Sequence, residues 1–278
     1  MSELPSLKET VEKYQLLAKK SLGQNFILDM NITDKIIRET LNFQGIKDFS
    51  ASKVFEVGPG PGGLTRAILK ANPALLTVIE MDSRCIEIMR EIKEVVGEQL
   101  QIVEGDALKF DFISGENLPS HIISNLPYNI SVPLLISWLK NMSKFKSLTL
   151  MFQKEVAERI CADINSKNYG RISVLAQLTC HINKLFDLNP NCFVPAPKIW
   201  SSVLLFRPKK EIIAPNVLEK IEKITELAFS QRRKMIRQSL KNLPNLEKIC
   251  SELNIETTLR AENLTPEQYL AIAQILTF

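Results

Sequence analysis

A chain of 278 residues, 45% hydrophobic and 24% charged, has room for one α/β domain with a full core plus a smaller appendage. No run reaches the roughly 18 consecutive apolar residues of a membrane span, and the polar N-terminus lacks a secretion signal, so a cytoplasmic protein is expected. The net charge of +4 is small but uneven: acids are missing between Glu12 and Asp29, Glu116 and Glu155, and Glu226 and Glu247, while each gap carries Lys or Arg, as a polyanion-facing surface requires.

The elements follow in chain order. After a helical N-terminal stretch, residues 53 to 207 alternate short apolar runs with amphipathic ones. Strands are predicted at Lys53–Val57, Leu75–Glu80, Leu100–Glu104, His121–Asn125, Leu148–Gln153, Lys184–Leu188 and Ser202–Arg207. Helices are predicted at Gly63–Lys70, Ser83–Val95, Val132–Lys140 and Glu155–Asp163. The alternation implies βαβ units on a mostly parallel seven-stranded sheet of the doubly wound α/β class, the last two strands being an antiparallel addition. Pro208 to Pro215 reads as a linker, and the apolar face of Val217, Ile221, Ile224 and Ala228 opens an all-helical C-terminal region. The expected domains are therefore 1–207, whose first fifty residues precede the first strand, and 208–278.

The five cysteines (Cys85, Cys161, Cys180, Cys192 and Cys250) are scattered without a C-x-x-C pair, and only two histidines accompany them. Reduced buried thiols and no metal site are expected. No heptad or long apolar face argues for a dimer, so a monomer is expected.

The first strand runs into Glu56-Val57-Gly58-Pro59-Gly60-Pro61-Gly62-Gly63. Glycines there let the chain turn sharply and bring its backbone against a ligand. The loop suits a dinucleotide or S-adenosylmethionine equally. Glu80, at the end of the second strand, can accept the hydroxyls of a ribose, which supports an adenosine moiety without choosing between the two cofactors. Asp106, after the third strand, can accept an adenine amino group. The three anchors converge at the carboxyl ends of successive strands, where open α/β sheets bind ligands.

The fourth strand ends in Asn125-Leu126-Pro127-Tyr128. An exocyclic adenine amine is a poor nucleophile because its lone pair is delocalised into the ring. The Asn125 side-chain oxygen and the Leu126 carbonyl can accept its two hydrogens, so that the nitrogen pyramidalises toward an electrophilic methyl. Pro127 restricts the residue before it, and Tyr128 offers a π face for the base. A hydride-transfer enzyme has no use for this tetrad; a methyl transfer to N6 of adenine does, by positioning and without a strong general base.

With these motifs in hand, the chain resembles the bacterial small-subunit rRNA adenine N6,N6-dimethyltransferases. The resemblance spans nearly the whole length through Gly23-Gln24-Asn25-Phe26-Ile27, the glycine loop, the tetrad, Gln153-Lys154-Glu155-Val156, Tyr169-Gly170-Arg171-Ile172-Ser173, Phe193-Val194-Pro195-Ala196-Pro197-Lys198 and Gln231-Arg232-Arg233-Lys234. It implies a Rossmann-like class I methyltransferase, with S-adenosylmethionine contacted by Asn25, Ile27, Gly58, Glu80, Asp106 and Asn125. It implies that Phe193 covers the face of the target adenine opposite Tyr128. The implied partner is 16S rRNA in the pre-30S subunit, dimethylated at two adjacent adenosines. Ile27 stands where the family usually has Leu, and Trp200 where it usually has an acid.

Arg233, Arg237 and Lys241 are four apart and would share a helical face, with Arg232 and Lys234 beside it, as a phosphate-binding ridge; Lys19 and Lys20 would extend it. Two other readings stay open. One is a large-subunit rRNA adenine dimethyltransferase conferring macrolide resistance, whose members usually carry Ser-Gln-Asn-Phe and Asn-Ile-Pro-Tyr where Gly23 and Leu126 stand here. The other is a non-catalytic RNA-binding assembly factor, which would be expected to have lost the tetrad or the glycine loop.

Overall fold

The computed structural model describes residues 4–16, 24–114 and 118–276. Lys19, Lys20 and Gly23 lie outside the described residues. Along the chain run α1 (Leu7–Lys13), β1 (Phe26–Ile27), α2 (Met30–Gln44), β2 (Lys53–Val57), α3 (Gly63–Lys70), β3 (Leu75–Glu80), α4 (Ser83–Val96), β4 (Leu100–Glu104), β5 (Ser120–Ser124) and α5 (Tyr128–Lys140). They continue with β6 (Phe145–Gln153), α6 (Lys154–Ile160), α7 (Arg171–Thr179), β7 (Cys180–Leu188), β8 (Phe193–Val194), β9 (Ser201–Pro208), α8 (Pro215–Ser230), α9 (Ile236–Ser239), α10 (Leu246–Glu252) and α11 (Pro266–Ile275).

Seven strands form one sheet in the order β4-β3-β2-β5-β6-β9-β7. From β4 to β6 every neighbour is parallel, and β9 enters antiparallel to β6. The order reverses direction beside β2, so the loops after β2 and β5 open a crevice at the carboxyl ends of the strands. Apolar side chains bury β2 and β3 on both faces, as helix-covered parallel strands require. Val54, Leu76 and Val78 join Ile36, Ile68, Ile88 and Met89 from α2, α3 and α4 in one hydrophobic core. Asp29 caps α2 by accepting from the Asn31 amide at 2.9 Å, and Asp82 caps α4 through the Arg84 amide.

The predicted and observed limits of β2, β3, β4 and α3 coincide. Helix α5 begins four residues earlier than predicted, because Pro133 stands inside it rather than opening it.

The described chain divides into two compact units. One holds the residues up to Leu135 together with Lys144–Lys154 and Asn183–Arg207. The other gathers Ile136–Ser143 and Glu155–Ile182 with the helices after Pro208. In the second unit the rings of Tyr169, Phe229 and Tyr269 pack against one another. Both tyrosine hydroxyls are satisfied by backbone carbonyls, Tyr169 on Leu264 and Tyr269 on Ala261. Among the described residues no helix is long and apolar enough to cross a membrane.

The expected continuous face of Arg233, Arg237 and Lys241 is not formed. Helix α8 stops at Ser230, and Met235 turns extended to bridge Arg260. The short α9 then carries Arg237 alone, with Arg233 and Lys241 in the turns on either side. Tertiary pairing at Met235 outweighs a helical spacing in the sequence.

Candidate active site

One cleft in the first unit is lined by the glycine loop, Glu80, Asp106, the tetrad and the segment 24–27. Strand ends deliver the first three groups, since β2, β3 and β4 are in parallel register and finish side by side. The loop after β2 is tied down by the Gly58 amide donating to the Ile79 carbonyl at 2.9 Å.

The glycines are needed for a neighbour that sequence reading did not foresee. At Gly60 (φ +55°) an added Cβ would lie 2.8 Å from the Phe26 ring. At Gly63 it would lie 2.7 Å from the Ile27 carbonyl oxygen. The loop thus admits β1 as a second wall. Strand β1 is in turn held by antiparallel pairing with β8, Phe26 opposite Val194 and Ile27 opposite Phe193. Gln24 fixes the entry to this wall by donating to the Asp82 carboxylate at 3.2 Å. Arg84, in contact at 2.7 Å, holds that carboxyl far below the ordinary range.

Glu80 Oε1 accepts the amides of Met81 and Asp82 at 2.7 and 2.8 Å. Burial raises its pKa, opposed by these amides and that of Gly60. The Met81 and Asp82 hydrogen bonds both fall on Oε1, so Oε2 keeps acceptor capacity for the hydroxyls of a ligand. Asp106 accepts the Leu108 amide at 2.9 Å through Oδ1. It is therefore both a turn former and a cleft wall, and its second oxygen is left for a ligand.

Glu56 also lines the cleft, a role that sequence reading missed. Its sign in the sequence is a lone carboxylate inside the apolar strand Lys53-Val54-Phe55-Glu56-Val57. Burial pushes its pKa up to about 8, against the Thr65 hydroxyl that donates to it at 2.7 Å and with added repulsion from Glu80. It is a neutral acid at neutral pH, which suits a buried position.

Asn125 lies just past β5, on the cleft wall, and its Nδ2 is 2.9 Å from the Asn25 carbonyl oxygen. A peptide carbonyl only accepts, so the NH2 group must face Asn25, and Oδ1 is the end left to accept from a ligand. Leu126 and Pro127 line the same cleft, Pro127 within ordinary contact of the Gly58 position. Tyr128 opens α5 as one of the residues lining the cleft, and its hydroxyl is 3.0 Å from Ser201 Oγ. Burial raises the Tyr128 pKa and the Ser201 contact lowers it less, so the phenol stays neutral. Ser201 could not be found from sequence, since its partner is 73 positions away.

Two expectations change. Phe193 is only 2% exposed, belongs to the hydrophobic core and is not among the residues that line the cleft. Arg232 is part of the scaffold: its guanidinium meets Glu262 at 2.7 Å and the Ser166 carbonyl at 3.1 Å. Arg233, Lys234, Arg237 and Lys241 are exposed and form no ion pair among the described residues.

Comparison with known proteins matches residues 15–277 to the ribosomal RNA adenine dimethylase family. A protein of Rhodospirillum rubrum named ribosomal RNA small subunit methyltransferase A is 43% identical over 271 residues, 98% of this chain and 92% of its own. One of the same name from Azorhizobium caulinodans is 45% identical, covering 98% and 93%. The crystal structure of a dimethyladenosine transferase from Plasmodium falciparum superposes with a TM-score of 0.71 at 26% identity, covering 88% of this chain and 94% of its own.

Proposed function

The chain belongs to the ribosomal RNA adenine dimethylase family, and from that premise we propose that it dimethylates N6 of two adjacent adenosines near the 3′ end of 16S rRNA. The single observation that carries the reading is the Asn25–Asn125 hydrogen bond, which leaves the Asn125 oxygen as an acceptor on a cleft wall shared with Leu126 and Tyr128.

The cleft fits S-adenosylmethionine in the chemistry of its donors. Glu80 would take the ribose hydroxyls and Asp106 the adenine amine, and Asn25, Ile27, Gly58 and Asn125 would contribute the remaining contacts. When bound, the cofactor supplies a sulfonium-activated methyl group. The protein's part is positional. Asn125 Oδ1 and the Leu126 carbonyl accept the two amine hydrogens of the target base and turn its lone pair toward that methyl. Tyr128 stacks on the base, adding about 1–3 kcal/mol of binding. Holding reactants in line removes much of the entropic barrier, and a base that only collects a released proton need not be strong. The target adenine must leave its stack to reach Asn125, so the substrate nucleotide is unpaired or flipped.

Residues 1–207 then serve the cofactor and the reaction, and 208–278 the RNA. Arg233, Lys234, Arg237 and Lys241 meet phosphates from exposed turns and from α9, each releasing counterions on binding. The substrate is a pre-30S particle, met by a monomer in the cytoplasm.

The test is incubation with undermethylated small subunits and cofactor labelled in its methyl group, followed by nucleoside analysis. N6,N6-dimethyladenosine at adjacent positions is expected. Label in large-subunit RNA alone would assign the substrate to the other subunit, and cofactor binding without any transfer would make the chain a binding factor.

A further inference from the structure

Strand β9 is buried through its first six residues, yet the residue before it, Trp200, is 46% exposed. An indole has a large apolar face, and leaving it in water is unfavourable. Its backbone is fixed, for the Trp200 carbonyl accepts the Lys154 amide at 2.8 Å. The next residue, Ser201, is fully buried and holds the Tyr128 hydroxyl at 3.0 Å. One peptide bond therefore joins the support of the cleft's aromatic ring to an exposed aromatic ring outside it. Lys154 and Lys198 are exposed on the same segments, and neither is in an ion pair among the described residues.

Drawing one base out of a strand deprives its neighbour of a stacking partner. An exposed aromatic beside cations is the recurring means of receiving such a base. We propose that Trp200 is a stacking platform for the unpaired nucleotide next to the adenine held at Tyr128, with Lys154 and Lys198 meeting the adjoining phosphates. This rests on the reading of the cleft as an adenine-methylation site and extends it by one nucleotide.

The experiment measures binding of a short RNA hairpin with two unpaired adenosines in its loop, by anisotropy, beside a hairpin in which the nucleotide flanking the target adenine is abasic. Trp200→Ala is expected to weaken binding of the intact hairpin about ten-fold and Trp200→Phe to restore most of it. The wild type should bind the abasic hairpin about ten-fold less tightly, with no further loss in Trp200→Ala. The chain has two tryptophans, and Trp138 is 2% exposed, so quenching of indole fluorescence by RNA should vanish in Trp200→Phe. Equal losses on both hairpins in Trp200→Ala, or wild-type affinity in that variant, would overturn the platform. If the wild type binds in this way but never methylates N6 of the loop adenosines, the reaction assigned to the cleft fails while the platform stands.

Discussion

Asn125 donates its side-chain amide to the backbone of Asn25, so the group proposed to orient the substrate amine is itself aimed by the segment that walls the cofactor cleft. Asn125→Asp removes the donor and sets a carboxylate against a carbonyl. Methyl transfer is expected to fall by about 100-fold or more, as a misplacement near 1 Å does in other sites. Single-turnover transfer of labelled methyl checks this, and near-normal rates in Asn125→Asp would mean the amide does not orient the nucleophile.

The two walls of the cleft meet at glycines. Gly63→Ala places a methyl 2.7 Å from the Ile27 oxygen and 3.2 Å from the Leu7 side chain. Overpacking of this kind costs about 1–3 kcal/mol. At Gly105 an added Cβ meets nothing within 4 Å, and the same change there should cost less than about 1 kcal/mol or stabilise. Guanidinium unfolding of both variants separates the two cases.

Stability should fall as pH rises through the window set by Glu56. In the unfolded chain this carboxyl ionises near 4.5, and in the fold near 8. Between those values the folded state holds a proton that the unfolded state has lost, so raising the pH favours unfolding. From pH 6 to 8 the loss is on the order of 2 kcal/mol without cofactor. Glu56→Gln keeps an acceptor for Thr65 and should flatten the profile. Urea titrations at the two pH values decide, and an unchanged slope in the variant would locate the titration elsewhere.

Basic residues of the second unit should separate into two kinds. Arg233→Ala with Arg237→Ala is expected to weaken RNA binding and reduce the slope of log affinity against log salt by about 1.4, at about 0.7 per phosphate on single strands. Arg232→Ala should instead lower stability, because Glu262 and the Ser166 carbonyl lose their partner. Salt-dependent binding and thermal unfolding, measured on the same preparations, tell the two apart.

Much of the first unit was legible because its signals are local. Apolar runs of five or six residues between a glycine loop and strand-end acids define β2, β3 and β4 with their limits, and the same residues carry Gly58, Glu80 and Asp106 to one cleft. The tetrad was legible for the same reason, since Asn125 to Tyr128 is one short stretch of chain. What escaped depends on distant partners. Helix α7, with a weakly amphipathic pattern, gave no periodicity to read. Strand β1 is two residues long and exists through β8. Phe193 is taken up by the core, and the basic face of residues 233–241 breaks where Met235 meets Arg260. Ser201 is ordinary in sequence and matters through Tyr128 alone.

The pairing of Phe26–Ile27 with Phe193–Val194 has a temporal meaning during synthesis. A ribosome that has released the chain as far as β6 has already delivered every carboxylate of the cleft, along with Asn125 and Tyr128. The early strand still waits for its mate, and the tyrosine for its serine. The contacts that complete the cleft walls therefore form late in translation, after Ser201 has emerged, and a nascent fragment lacking those last strands carries Glu56, Glu80 and Asp106 without the partners of Ile27 and Tyr128.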